Sequence, residues 1–272
     1  MSGVAVSRVR KEFLARGGAV LALDDIDLTL APGEFACLLG PSGCGKSTLL
    51  NILAGFEGVT AGEVAVFGGR VEKPGPDRAV VFQEAALFPW MSVLDNVTFG
   101  PRLARRGLAG KPRAETVSRA RDLLALVGLS GFEKHLPAEL SGGMKQRVGI
   151  ARALILKPKL FLMDEPFGAL DAQTRMQMQE LLLRVWEAEK GTVLFITHDI
   201  DEAIFLADTV HVMTARPGKI RSSTRIELPR PRTLDLLTDP RFGAYKADLL
   251  GQIREEAGRA QAAITAAELA AH

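Results

Sequence analysis

Residues 40–48, Gly40-Pro41-Ser42-Gly43-Cys44-Gly45-Lys46-Ser47-Thr48, fit the phosphate-binding pattern G-x-x-x-x-G-K-[ST]. With ordinary residue frequencies, chance alone places such a match in roughly one chain per hundred of this length, so the flanks decide. An apolar run, Phe35-Ala36-Cys37-Leu38-Leu39, leads in, and a helix-compatible run, Thr48 to Ala54, leads out. Strand, glycine turn and helix together make a mechanism. Glycines let backbone N–H groups curl around phosphate oxygens, and the helix N-terminus adds its partial positive charge. Lys46 then reaches the β- and γ-phosphates, and Ser47 offers its hydroxyl to Mg²⁺.

Composition bounds the rest. The chain has 272 residues, 47% of them hydrophobic, enough for one large domain or two small ones. A net charge of +2 and the lack of a basic tract argue against nucleic acid as a partner. Cys37 and Cys44 have neither metal nor disulfide-framework spacing, which points to a reducing compartment. No run of 18 apolar residues and no signal-peptide pattern is present, so the chain is expected neither to span a membrane nor to be secreted.

Along the chain, Ile26, Leu28 and Leu30 alternate with polar residues, which predicts a half-buried strand. Gly17-Gly18 reads as a turn, so residues 4–30 form antiparallel β structure. Phe13 in this region is either a half-buried aromatic or a platform for stacking a base. Short strands follow at Val64–Phe67, ended by Gly68-Gly69, and at Ala79–Phe82, ended by Gln83. From about 86 to 157 the pattern turns helical. Ser92 to Asp95 reads as a capping box, 105–113 as a basic surface loop, and 113–127 as an amphipathic helix stopped by Gly128. Met144, Val148, Ala151 and Ile155 lie on one helical face behind Ser141, Gly142 and Gly143, so that helix start reads either as a second anion site or as an ordinary glycine-rich helix start.

Leu160–Met163 is a buried strand running into Asp164 and Glu165. In an α/β sheet, ligands bind at the carboxyl ends of strands. Asp164 there suits Mg²⁺, and Glu165 suits the orientation and deprotonation of a water. After a turn at 166–171 comes a helix from Thr174 to about Lys190 with Trp186 as core anchor. Val193–Ile196 is the next strand, with His198 at its end. His135, His211 and His272 lack such a setting and read as structural. Four strands thus end at Gly40, Gln83, Asp164-Glu165 and His198, as one phosphoryl-transfer edge requires. A last strand at 210–213, a Pro-Gly turn at 217–218, a basic segment to Arg232, a helix from Phe242 and an Ala-rich tail complete the chain.

With these residues in place, the chain resembles the ATP-binding subunit of ABC transporters over about residues 3–255. The resemblance rests on GPSGCGKST at 40–48, Gln83, LSGGMKQRVGIARAL at 140–154, FLMDEP at 161–166, ALD at 169–171 and THD at 197–199. It implies an α/β fold: a P-loop ATPase core with a mainly parallel sheet, an N-terminal antiparallel β part and an inserted helical subdomain at about 86–157. The ATPase domain would span 1–232, with a C-terminal helical extension at 233–272. It also implies ATP and Mg²⁺ as cofactors. Gly40 to Thr48 become the Walker A loop and Asp164 the magnesium acid. Glu165 becomes the water-activating glutamate, Gln83 the glutamine that touches Mg²⁺ and the γ-phosphate, and His198 the γ-phosphate histidine. Ser141 to Gly143 become the signature motif acting on ATP held by a second copy, Asp171 the acid across the dimer interface, and Phe13 the adenine-stacking aromatic.

LFPWMSVLDNVTFG at 87–100, DEPFGALDAQTRMQMQELL at 164–182 and THDIDEAIFLAD at 197–208 are similar to importers of nitrate, taurine and alkanesulfonates. This implies a homodimer on the cytoplasmic face of the inner membrane, bound to permease subunits and served indirectly by an external substrate-binding protein. Phe88, Pro89, Trp90 and Met91 would be candidate permease contacts; the bland reading of Trp90 is packing within the helical subdomain. The competing class is a soluble ABC ATPase acting in translation, DNA repair or metal-cluster assembly. One set of motifs and no heptad run count against it. An exporter subunit is the third reading.

Overall fold

The computed structural model describes residues 2–15, 18–103 and 113–270, with side chains described over 2–14, 18–103 and 113–259. Most of the predicted loop at 105–113, and the Gly17 half of the predicted turn, lie outside the described residues. The chain divides into two compact units, one of Met1–Gly75 with Thr192–His272 and one of Pro76–Gly191.

The first unit opens with β1 (Val4–Ala15) and β2 (Gly18–Leu30), antiparallel in the register Val4↔Leu30 and Phe13↔Val20. Ile26, Leu28 and Leu30 are buried while Asp27 and Thr29 are exposed, the period-2 burial the alternation predicts. β3 (Phe35–Leu39) is buried at every position, and α1 (Lys46–Ala54) follows it. β4 (Ala61–Val66) pairs with β1, and β5 (Gly69–Arg70) pairs with β4 where the sequence suggested only an ending.

In the second unit, β6 (Arg78–Val81) runs parallel to β7 (Leu160–Asp164). Three helices lie between them in sequence: α2 (Val93–Leu103), α3 (Ala114–Leu126) and α4 (Gly142–Leu154). Ser92 Oγ accepts from Asp95 N at 3.1 Å, so the predicted cap forms. Gly128 follows α3 with φ 71°, the left-handed stop that glycine makes cheap. α5 (Ala172–Glu189) ends this unit, and buried Trp186 donates its Nε1–H to Gly191 O at 2.9 Å.

The chain then returns to the first unit. β8 (Thr192–Thr197) and β9 (Thr209–Met213) both run parallel to β3, on either side of it, with α6 (Ile200–Leu206) between them in sequence. β10 (Ile220–Arg225) adds antiparallel to β9. Its sequence, IRSSTR, carries no apolar alternation; pairing to β9 creates a strand that periodicity does not announce. α7 (Pro240–Ala270) begins two residues before the expected start and continues through the Ala-rich tail. Among the described residues, no helix is long and apolar enough to cross a membrane.

His211, on β9, is buried, with Nδ1 2.7 Å from Ser223 Oγ on β10. Burial lowers its pKa from 6.5 to about 4, against a weaker upward pull from Glu34. The folded chain therefore holds the ring neutral. As pH falls below 6.5 the unfolded chain takes up a proton that the folded chain refuses until about pH 4. Stability is full above 6.5 and drains across that window, by about 3 kcal/mol in all. Denaturation midpoints between pH 7 and 4.5 are expected to fall more steeply for the parent than for His211→Asn. Equal slopes would remove His211 as the cause.

Candidate functional site

The phosphate loop leaves β3 at Gly40. Gly43 has φ 75° and Gly45 φ 108°, so both occupy the left-handed region. A Cβ at Gly45 would also stand 2.6 Å from Leu23 Cδ2. A side chain would strain the curl at either position, and at Gly45 it would also clash. Lys46 is buried and lies across the curl: its Nζ donates to Gly40 O at 2.7 Å and to Pro41 O at 3.0 Å. Ser47 and Thr48 open α1, with Ser47 exposed. Burial pushes the Cys44 thiol up, and the Cys37 thiol well up; both cysteines are free. Neither is primed as a nucleophile.

β8 pairs with β3 in the register Leu39↔Thr197. The next residues, Gly40 and His198, therefore leave the same edge of this sheet. Thr197 Oγ1 donates to Glu202 Oε2 at 2.5 Å and accepts from Asp199 N at 3.0 Å, and Asp199 caps α6 through Glu202 N. This tight turn holds the His198 ring exposed at the strand end. Phe13, on β1, is 36% exposed, and Lys11 Nζ stands 4.7 Å from its ring centroid. One ring face thus already meets a cation.

The second unit repeats the logic. β6 and β7 pair in the register Val81↔Met163, so Gln83 and the pair Asp164-Glu165 leave one edge. Glu165 has φ 45°, a left-handed conformation that costs a residue with a side chain energy and that clusters at working sites. Its carbonyl accepts from Gly168 N at 3.1 Å, and a Cβ at Gly168 would meet Gln83 Nε2 at 3.2 Å. Gln83, Glu165 and Gly168 are therefore neighbours. Ser141 caps α4, accepting from Met144 N at 3.3 Å, and is exposed with Gly142. A Cβ at Gly143 would strike Thr174 Cγ2 at 2.8 Å, so this helix start fits closely over the start of α5. Asp171 caps α5, and the Thr174 N–H holds its carboxyl below the usual range.

Three residues that sequence reading passed over hold these pieces in place. Gln146, buried on α4, donates to Phe82 O at 3.0 Å. Arg152, two turns on, donates to Ala85 O at 2.8 Å and Ala86 O at 2.9 Å. The helix that presents Ser141 thus also grips the backbone around Gln83. Buried Asn96 fixes the 88–92 turn, accepting from Phe88 N at 2.8 Å and donating to the Phe88, Met91 and Ser92 carbonyls. Trp90 is left 72% exposed by that turn, its ring touching Phe88 with 5.8 Å between centroids. Beside it a cavity of about 480 Å³ is lined by Gln83, Leu87, Pro89, Lys145 and Leu170, among others. The available signal was a polar residue on a buried helical face, as Gln146 is beside Gly149 and Ile150.

Each unit therefore has a glycine-rich helix N-terminus and sets polar residues at the ends of its parallel strands. Asp164, through its carboxylate, and Ser47, through its hydroxyl, each carry a hard oxygen donor of the kind Mg²⁺ takes. Among the described residues, no group of three or more His, Cys, Asp or Glu forms a self-sufficient metal cage.

Residues 23–168 match the family described as ABC transporter. The chain is 44% identical over 255 residues to the nitrate import ATP-binding protein NrtD of Synechocystis sp., covering 92% of this chain and 94% of that one. It is 44% identical over 261 residues to the taurine import ATP-binding protein TauB of Burkholderia pseudomallei, covering 94% and 98%. An ATP-binding cassette solved as a dimer in a post-hydrolysis state with ADP and Pi has TM-score 0.70 and 31% identity, covering 83% of this chain and all of that one. The chain thus belongs to the ABC transporter ATP-binding family.

Proposed function

We propose that this chain is the ATP-hydrolysing subunit of an importer that drives uptake of a small anion, of the nitrate, taurine or aliphatic sulfonate type, through a separate permease. One observation carries the reading: two anion cradles, the phosphate loop and the Ser141 helix start, occur in a chain similar over nearly its whole length to nitrate and taurine import subunits. Two copies would sandwich ATP, the phosphate loop of one facing Ser141, Gly142 and Gly143 of the other. Residues 1–232, with the helical part at 86–157, make the ATPase domain, and 233–272 an extension.

Lys46 and the N–H groups of residues 40–48 bind the phosphates. Ser47, Asp164 and Gln83 would hold Mg²⁺, which would supply positive charge to offset that of the phosphates. Glu165 takes a proton from the attacking water, and His198 donates to the γ-phosphate. Phe13 stacks on the adenine, and Asp171 meets the other copy. Trp90 and the adjoining groove receive the permease, which places the subunit peripherally on the cytoplasmic face of the inner membrane.

Tagged Glu165→Gln protein, trapped with ATP and recovered from detergent-solubilised native membranes, is expected to bring down a multi-span permease. Its binding protein is then screened against nitrate, taurine and sulfonates. Recovery of ribosomes, DNA or soluble partners alone would move the chain to the soluble ABC ATPases.

A further inference from the structure

A phosphate loop binds anions through successive N–H groups that converge on one concavity, so its peptide planes must be held in place. The segment after β9 lies against two of the loop's carbonyls, bonding one and packing on the other. Arg216 donates to Gly43 O from Nη2 at 3.1 Å and from Nε at 3.3 Å. Two residues on, a Cβ at Gly218 would stand 2.1 Å from Cys44 O, so this backbone lies directly against the loop. Segment 214–219 is itself fixed: Gly218 N donates to Ala22 O at 2.9 Å, Asp24 N to Gly218 O at 3.0 Å, and Thr214 Oγ1 to Pro217 O at 3.1 Å.

Its other side is fastened to the C-terminal helix. Glu256 on α7 is 1% exposed, and its Oε2 accepts from Ala215 N, the neighbour of Arg216, at 3.1 Å. Its Oε1 accepts from Arg221 and Arg259, each at 2.7 Å. A buried carboxylate with three charge-assisted or backbone bonds is a firm anchor. The bonds run from α7 through Glu256 and Ala215 to Arg216 and end on the phosphate loop, all within the first unit.

We propose that Arg216 is a nucleotide-positioning residue, holding the Gly43 carbonyl turned away from the bound phosphates, and that the C-terminal helix sets its place through Glu256. The inference rests on the phosphate-loop reading above. It gives the C-terminal extension a role in ATP affinity: whatever moves α7 changes how well the loop is preformed.

The test is ATP turnover and ADP calorimetry on full-length Arg216→Ala, Arg216→Lys, Glu256→Ala, Glu256→Gln and the Arg216→Ala/Glu256→Ala pair, with Lys46→Ala as control. Arg216→Ala is expected to raise KM for ATP and Kd for ADP about tenfold with kcat within about twofold, the effect of one charge-assisted bond. Arg216→Lys recovers part of the loss. Glu256→Ala shifts KM the same way, and the pair loses less than the product of the singles. Glu256→Gln keeps the shape of the anchor should Glu256→Ala not fold. Unchanged KM in Arg216→Ala, with nucleotide binding lost in Lys46→Ala, overturns the inference alone. Multiplicative effects in the pair overturn the link to α7. Retained nucleotide binding in Lys46→Ala would sink the phosphate-loop reading and this inference with it.

Discussion

Glu165→Gln is expected to cut ATP turnover by about 10²–10⁴-fold while ATP binding survives. The two side chains are nearly the same size, so the packing at the end of β7 is kept, but an amide accepts no proton at neutral pH. The backbone sharpens the test. Glu165 sits at φ 45°, where a residue with a Cβ costs about 1–2 kcal/mol relative to glycine. Glu165→Gly should therefore lose turnover as fully as Glu165→Gln, yet unfold at a higher denaturant concentration than either. The pair of measurements separates chemistry from strain: turnover follows the carboxylate, stability follows the left-handed backbone. Parent-like turnover in Glu165→Gln would remove Glu165 from proton transfer.

Most of the parts this reading uses were legible because each is a local pattern with a local cause. The phosphate loop announces itself through glycines at 43 and 45 that the curl requires. The strand at 35–39 and the acids at 164 and 165 follow from apolar runs that end abruptly in charge. The Ser141 cap follows from a hydroxyl ahead of a helical face. What escaped is non-local. β10 exists because β9 offers it an edge, not because IRSSTR favours a strand. Gln146 and Arg152 are polar residues whose partners lie 64 and 66 residues away, at Phe82 and Ala86, and nothing in the local pattern names a distant carbonyl. The contact of Arg216 with Gly43 spans 173 residues, and without it α7 reads as an appendage.

Lys46→Ala should weaken ATP and ADP binding by about 10²–10³-fold and leave weak AMP binding almost unchanged. The lysine ammonium is worth one or two charge-assisted hydrogen bonds to phosphate, each about 1.5–3 kcal/mol, and each 1.4 kcal/mol is tenfold in affinity. In its proposed role it reaches the β- and γ-phosphates, so a nucleotide with only the first phosphate has little to lose. The geometry adds a second term. Lys46 Nζ is bonded to Gly40 O and Pro41 O, so the side chain that meets the ligand also ties the loop across its own mouth. Binding phosphate exchanges those carbonyls for phosphate oxygens without drawing a new charge out of water, because the ammonium is already buried. Lys46→Met keeps the length of the stem and its packing but not the charge. If it binds ATP as poorly as Lys46→Ala, the loss belongs to the charge; if it recovers most of the affinity, the lysine acts mainly by filling the loop. ATP affinity unchanged in both variants, measured by equilibrium dialysis, would mean that the curl at 40–48 is not where the nucleotide binds.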